Sequence, residues 1–82
     1  MNDDLPEKIK LIWDFRGPTA EKIAAHHVVH LKDFIRIEKM KFNIAGVEKL
    51  SEMHWSAFMV ISKEEMEPLK KALKPHRAQA YE

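Results

Sequence analysis

Two groups of side chains in this 82-residue sequence could do chemistry. The first is His26, His27 and His30, three of the five histidines. Imidazoles at i and i+4 lie one helical turn apart, the spacing with which a helix offers two nitrogens to one metal ion. His26 and His30 are therefore the candidate metal ligands. A third ligand would have to come from elsewhere, and no Glu is interleaved as in a zinc-protease helix. No cofactor is predicted beyond a divalent metal held by this pair. The second group is dispersed: Asp14, Arg16, Glu52, His54, His76 and Arg77. Two arginines and two histidines would suit a carboxylate or phosphate through charge-assisted hydrogen bonds, provided the fold collects them. Imidazole titrates near neutrality, so His27, His30 or His54 could also serve as a general acid or base.

The elements that must position these residues follow from hydrophobic period. Ile9, Leu11, Trp13 and Phe15 alternate with Lys10, Ile12 and Asp14, a strand pattern. Gly17-Pro18-Thr19 breaks it, with Pro suited to a first helical turn and Thr suited to cap it. From Ala20 to about Lys39 the chain has neither Gly nor Pro. Ala20, Ala24, His27, Val28, Leu31, Phe34 and Ile35 make one stripe, with Glu21, Lys32, Asp33, Arg36 and Lys39 opposite, so an amphipathic helix is predicted. Residues 46–50 are a weak second strand and residues 51–53 a connection. Residues 54–61 are a strand apolar on both faces, Phe58 and Val60 on one, Trp55, Ala57, Met59 and Ile61 on the other. That is the pattern of a covered, central strand. Ser62-Lys63-Glu64-Glu65 is a capping box opening a second helix, in which Met66, Leu69, Ala72 and Leu73 share a face. Pro68 requires either a kink or a start near Glu67. Lys74-Pro75 ends the helix, and residues 76–82 leave room for a short last strand. Residues 1–7 read as a polar lead-in. Met40, Met53, Met59 and Met66 read as core filler.

The order β-α-β-β-α-β over residues 1–82 predicts a single α+β domain of the ferredoxin-like kind: a four-stranded antiparallel sheet with two helices on one face. Strand order 4-1-3-2 puts the first strand between the third and fourth. Asp14, Arg16, Glu52, His54, His76 and Arg77 then gather at one end of the sheet, beside the N-terminus of the first helix, where exposed N–H groups favour an anion. The expected ligand site runs from Asp14, Arg16, His54, His76 and Arg77 towards His27 and His30, in a groove walled by Trp13 and Phe34.

This outline, with a third strand apolar on both faces, resembles one subunit of the dimeric α+β barrel superfamily. There, small subunits pack sheet against sheet, and many members are small-molecule enzymes. The resemblance implies a homodimer through the open sheet face, to which Ile12 would add apolar surface. The stretches WDFRGP, HHxxH and KPHR (residues 13–18, 26–30 and 74–77) also look like those of small uncharacterised bacterial proteins, a likeness that carries no activity across.

Composition narrows the classes. Fourteen Lys and Arg against thirteen Asp and Glu give a net charge of +1, which argues against duplex DNA or an anionic membrane as partner. The aromatic strands at residues 11–15 and 55–60 echo RNA-recognition motifs, but no basic-Gly pair precedes the later one, so no nucleic-acid partner is expected. Without cysteine there is no disulfide, thiolate metal site or thiol catalysis. Ser51, Ser56 and Ser62 have structural readings and stand in no Ser-His-Asp order. The acidic start lacks a signal peptide's basic region, and residues 55–61, the longest uncharged apolar stretch, fall far short of a membrane span. A cytoplasmic protein is expected. The functional expectation is a small dimeric domain binding a small anionic ligand. The alternatives are a small enzyme using histidine acid/base chemistry and an interaction module without a small ligand.

Overall fold

The computed structural model describes residues 8–81. The elements are β1 (Lys8–Arg16), α1 (Ala20–Glu38), β2 (Ala45–Ser51), β3 (His54–Ser62), a 3-10 turn (Lys63–Glu65) running into α2 (Met66–Leu73), and β4 (Arg77–Ala80). All pairings are antiparallel and the order is β2-β3-β1-β4. This is the ferredoxin-like α+β arrangement expected from the hydrophobic pattern. The polar lead-in expected over residues 1–7 lies outside the described residues.

Alternation along β1 divides the sheet into two faces. Leu11 and Trp13 join Ala57, Met59 and Ile61 of β3 in a core closed by Val28, Leu31 and Ile35 of α1 and Leu69 of α2. Both helices therefore cover one face, and burying such side chains is worth roughly 1.5–3 kcal/mol each. Phe34 and His27 sit at the edge of the α1 stripe, half-buried, rather than in its centre. Of the methionines, Met59 is in the core and Met40 and Met66 pack against it. Met53 does not: it is exposed in the β2–β3 turn, where its carbonyl accepts a hydrogen bond of 2.8 Å from the Gly17 N–H. That bond holds the end of β1 against the turn, and the φ of +109° at Gly17 is one that side chains rarely adopt.

Helix ends show where local rules held. Thr19 precedes α1 but makes no side-chain cap, contrary to expectation; its backbone carbonyl instead accepts from the Ile23 N–H. Lys39 and Lys74 close α1 and α2 in the left-handed conformation. The capping box forms: the Ser62 N–H and hydroxyl both donate to Glu65 Oε1, at 2.9 and 3.0 Å. Pro68 causes no kink. The 3-10 turn takes up Lys63–Glu65, so Pro68 falls in the first turn of α2, where N–H groups lack intrahelical acceptors.

The opposite face of the sheet has its own packing. Phe58 lies over Gly46, whose missing Cβ would stand 3.1 Å from the ring. Lys10 Nζ sits 4.5 Å from the centre of the same ring and reaches Glu48 at 2.9 Å. Beside this stack, Ile12 and Val60 are only 2% and 1% exposed.

Ser62→Ala should lower the unfolding free energy by about 1 kcal/mol, the usual value of an N-cap. Glu65→Ala should cost at least as much, because it removes the bond from the Ser62 N–H as well as that from the hydroxyl, and the double variant little more than Glu65→Ala, because the hydroxyl bond is common to both changes. Urea denaturation measures this; fully additive losses would show that the two residues act separately.

Candidate functional site

Asp14 is the hub of the strand-end cluster. It lies third from last in β1, opposite Ser56, on the face away from the helices. Arg77, the first residue of β4, pairs with Ile12 and so stands on the same face. Its Nε and Nη2 donate to the two Asp14 oxygens at 2.8 and 2.9 Å, a bidentate fork. His54, the first residue of β3, places Nε2 2.9 Å from Asp14 Oδ1. Asp14 and His54 side chains are each 17% exposed. The Arg77 hydrogen bonds, reinforced by His54 and opposed by partial burial, lower the Asp14 pKa from 3.8 to about 2. The carboxylate is therefore charged throughout the neutral range. It also fixes the imidazole: Nε2–H of His54 points at Asp14, and Nδ1 is left for another partner. Arg16 pairs with His54 in the β1–β3 register and shares its face, and among the described residues no carboxylate pairs with it.

His76 belongs to the other face. Its Nδ1 accepts a 2.8 Å hydrogen bond from the Asp14 backbone N–H, and its own N–H donates to the Ile12 carbonyl. Its ring stands edge-on to Phe15, with 6.3 Å between centres. His27 packs on the same wall, 4.9 Å from Trp13 and 5.6 Å from Phe15. Burial, followed by the nearness of His30, His76 and His26, pushes the His27 pKa below 6.5. His27 Nε2 is buried without a hydrogen-bond partner, as is Ser56 Oγ on the open face. Trp13 helps to fill the space between the layers and donates from Nε1 to the Leu73 carbonyl at 3.0 Å.

The expected residues thus meet at one end of the sheet but in two sets. Asp14, His54, Arg77 and Arg16 share the open face. His76 and His27 share the helix side, where rings pack against rings. Glu52 joins neither; from the β2–β3 turn it pairs with Lys49 of β2. His26 and His30 stand on the exposed flank of α1, Nε2 to Nε2 at 3.1 Å. Among the described residues no group of three or more His, Cys, Asp or Glu side chains is placed to hold a metal ion. Ser56, given only a structural reading from the sequence, sits between Asp14 and Glu48 across the sheet. The signal was available: its parity along β3 is that of His54. Among the described residues no helix is long and apolar enough to cross a membrane. In comparisons with known proteins, no family model matches the chain, and neither a curated protein nor a solved structure matches it significantly.

The two lowered pKa values imply two acid limbs in stability. A group whose folded pKa is depressed stabilises the fold above its unfolded pKa, and that stability is lost as pH falls. For His27 the loss should begin near pH 6.5, and His27→Gln should flatten it. For Asp14 it should run from about pH 4 down to about 2, and Asp14→Asn should flatten that region alone. Melting temperatures across pH 2–8 check both; an unchanged upper limb in His27→Gln would assign it to another group.

Proposed function

We propose that this chain is a small anion-binding module whose site lies on the open face at the Asp14 end of the sheet. The observation that carries the reading is the charge balance around a fixed imidazole. Asp14 neutralises Arg77 while leaving three of its five N–H groups unused. Arg16 adds a second cation on the same face. A carboxylate or phosphate would complete this arrangement, accepting N–H groups from Arg77 and Arg16 and, when the His54 imidazole carries both protons, one more from His54 Nδ1. Partial burial of Asp14 and His54 strengthens each of these bonds relative to the same bond in water. His76 and His27 act here as support: His76 fixes the Asp14 backbone, and His27 packs the wall behind it.

The same face is where a second copy would dock, as a homodimer through the open sheet. Phe58, flanked by Lys10–Glu48 on one side and Asp14–Arg77 on the other, supplies an apolar centre with a polar rim. Ile12 and Val60 are already nearly free of solvent, so the surface gained comes mainly from Phe58 and the charged pairs around it. A second reading, an enzyme, is favoured by one observation: a carboxylate that orients His54 leaves its other nitrogen as a general base.

Acetate or phosphate should raise the melting temperature by mass action, and Arg16→Ala should weaken that binding roughly tenfold or more, since a hydrogen bond to a charged group contributes about 1.5–3 kcal/mol. In NMR titrations His54 should shift and His26 should not. No thermal shift with either anion, or a shift unaffected by Arg16→Ala, would overturn the site. A ligand recovered chemically unchanged supports binding alone; turnover lost in His54→Gln supports the enzyme. Light scattering tests the dimer, and a monomer at high concentration would rule it out.

A further inference from the structure

The outer flank of α1 carries a feature that the anion site does not use. His26 and His30 share a hydrogen bond, Nε2 to Nε2 at 3.1 Å, with ring planes at 80°. Two nitrogens bound to one zinc ion at ~2.0–2.1 Å, with angles between about 90° and 109°, lie about 2.9–3.4 Å apart. The two imidazoles therefore already stand at a chelating separation, on consecutive turns of one rigid helix. They supply only half of a tetrahedral shell. Among the described residues no third ligand is placed to join them.

The residues beside the pair are as unsatisfied as the coordination shell. Ile23 is 44% exposed and Ile37 64% exposed. Each lies seven residues from His30, one on either side. At 100° per residue, Ile23, His26, His30 and Ile37 fall within about 60° of one another on the helix surface. The result is one stripe, apolar at both ends with two imidazoles at its middle. It is nearly symmetric about His30. A two-fold axis passing through the ion, between His26 and His30, would set α1 antiparallel to its copy, with Ile23 of one chain facing the half of the other helix that carries Ile37. The same operation brings two further imidazoles to the metal.

We propose that this stripe is a zinc-dependent contact between two copies of the chain, with one ion held by His26 and His30 of both. On binding, the imidazole of each pair that donates from Nε2 releases that proton to solvent and takes one up on Nδ1, so four neutral imidazoles each give one lone pair from Nε2 and keep a proton on Nδ1. Imidazole nitrogen suits zinc, whereas magnesium and calcium require oxygen ligands. The ion fixes the register, and the isoleucines exclude water on either side of it. Because α1 belongs to the layer opposite the open sheet face, this contact is independent of the anion site and of any pairing through Phe58.

The test is the solution mass of the full chain with zinc, with magnesium and with a chelator. Zinc should raise the mass at one ion per two chains, magnesium should not, and chelation should reverse the gain. Calorimetry supplies the stoichiometry. His30→Gln and His26→Gln, both at exposed positions, should each weaken zinc binding at least tenfold and abolish the gain in mass. Ile37→Glu should keep zinc bound but lose the association. The NMR signals of His26 and His30 should move with zinc while those of His54 do not. One zinc per chain at unchanged mass would overturn the bridge. Absence of zinc binding, or a gain in mass that survives in the His26→Gln/His30→Gln variant, would overturn the site. Circular dichroism of each variant confirms that α1 is intact.

Discussion

The structure depends on a single constraint: β1 is paired on both sides, so its alternate residues must serve opposite faces. Trp13 is committed to the core and Asp14, its neighbour, to the open face. The β4 ladder does not extend along the whole of β1. Its last pair is Ile12 with Arg77, which leaves the Asp14 N–H beyond the end of the strand. His76 fills that place with a ring nitrogen, while its backbone N–H bonds to the carbonyl two residues back. A backbone donor that would otherwise lack a partner is thus satisfied by a side chain. The same substitution turns β4 so that Arg77 falls opposite the Asp14 carboxylate.

From this follows the division of labour between faces. On the helix side, aromatic rings and His27 pack closely, and polar atoms there answer to the backbone or to nothing. On the open side, charges are paired at short distances and keep spare hydrogen-bonding capacity. Asp14 connects the two, through its amide to His76 and its carboxylate to Arg77 and His54. A change at this residue would be felt in the β1–β4 pairing as well as in the charge pattern.

Much of this was legible in the residues. Alternation in Ile9–Phe15 separated the faces, because period two is a direct consequence of the pleat. The double apolar pattern of residues 55–61 marked β3 as central. Ser62 and Glu65 announced their capping box through type and spacing. The candidate site was legible as an end of the sheet, since strand order alone brings Asp14, His54, His76 and Arg77 there. It was not legible which face His76 would serve. His76 lies in the Pro75–Arg77 connection, where there is no period to follow, and its direction is set by a hydrogen bond across sixty-two residues. Thr19 misled because a good capping residue does not cap when its own backbone φ and ψ lie outside the extended region, as here. Met53 misled because a lone apolar residue in a turn has no pattern to mark it as exposed. The cover over Ile12, in which Lys10 crosses Phe58 to Glu48, needed the β2 register, and that strand was the weakest of the four in the sequence.

The register shift between Lys49 and Ser51 has a consequence for how the chain behaves in crowded solution. The order β2-β3-β1-β4 leaves β2 and β4 at the two borders of the sheet, each with backbone groups able to recruit a strand from a neighbour. β4 offers only Arg77–Ala80, too short a template for lasting addition. β2 is longer, but its irregularity twists the border just where Lys49 adds a charge. Growth of sheet onto sheet, the first step towards fibrous aggregates, is therefore obstructed at both margins by different means.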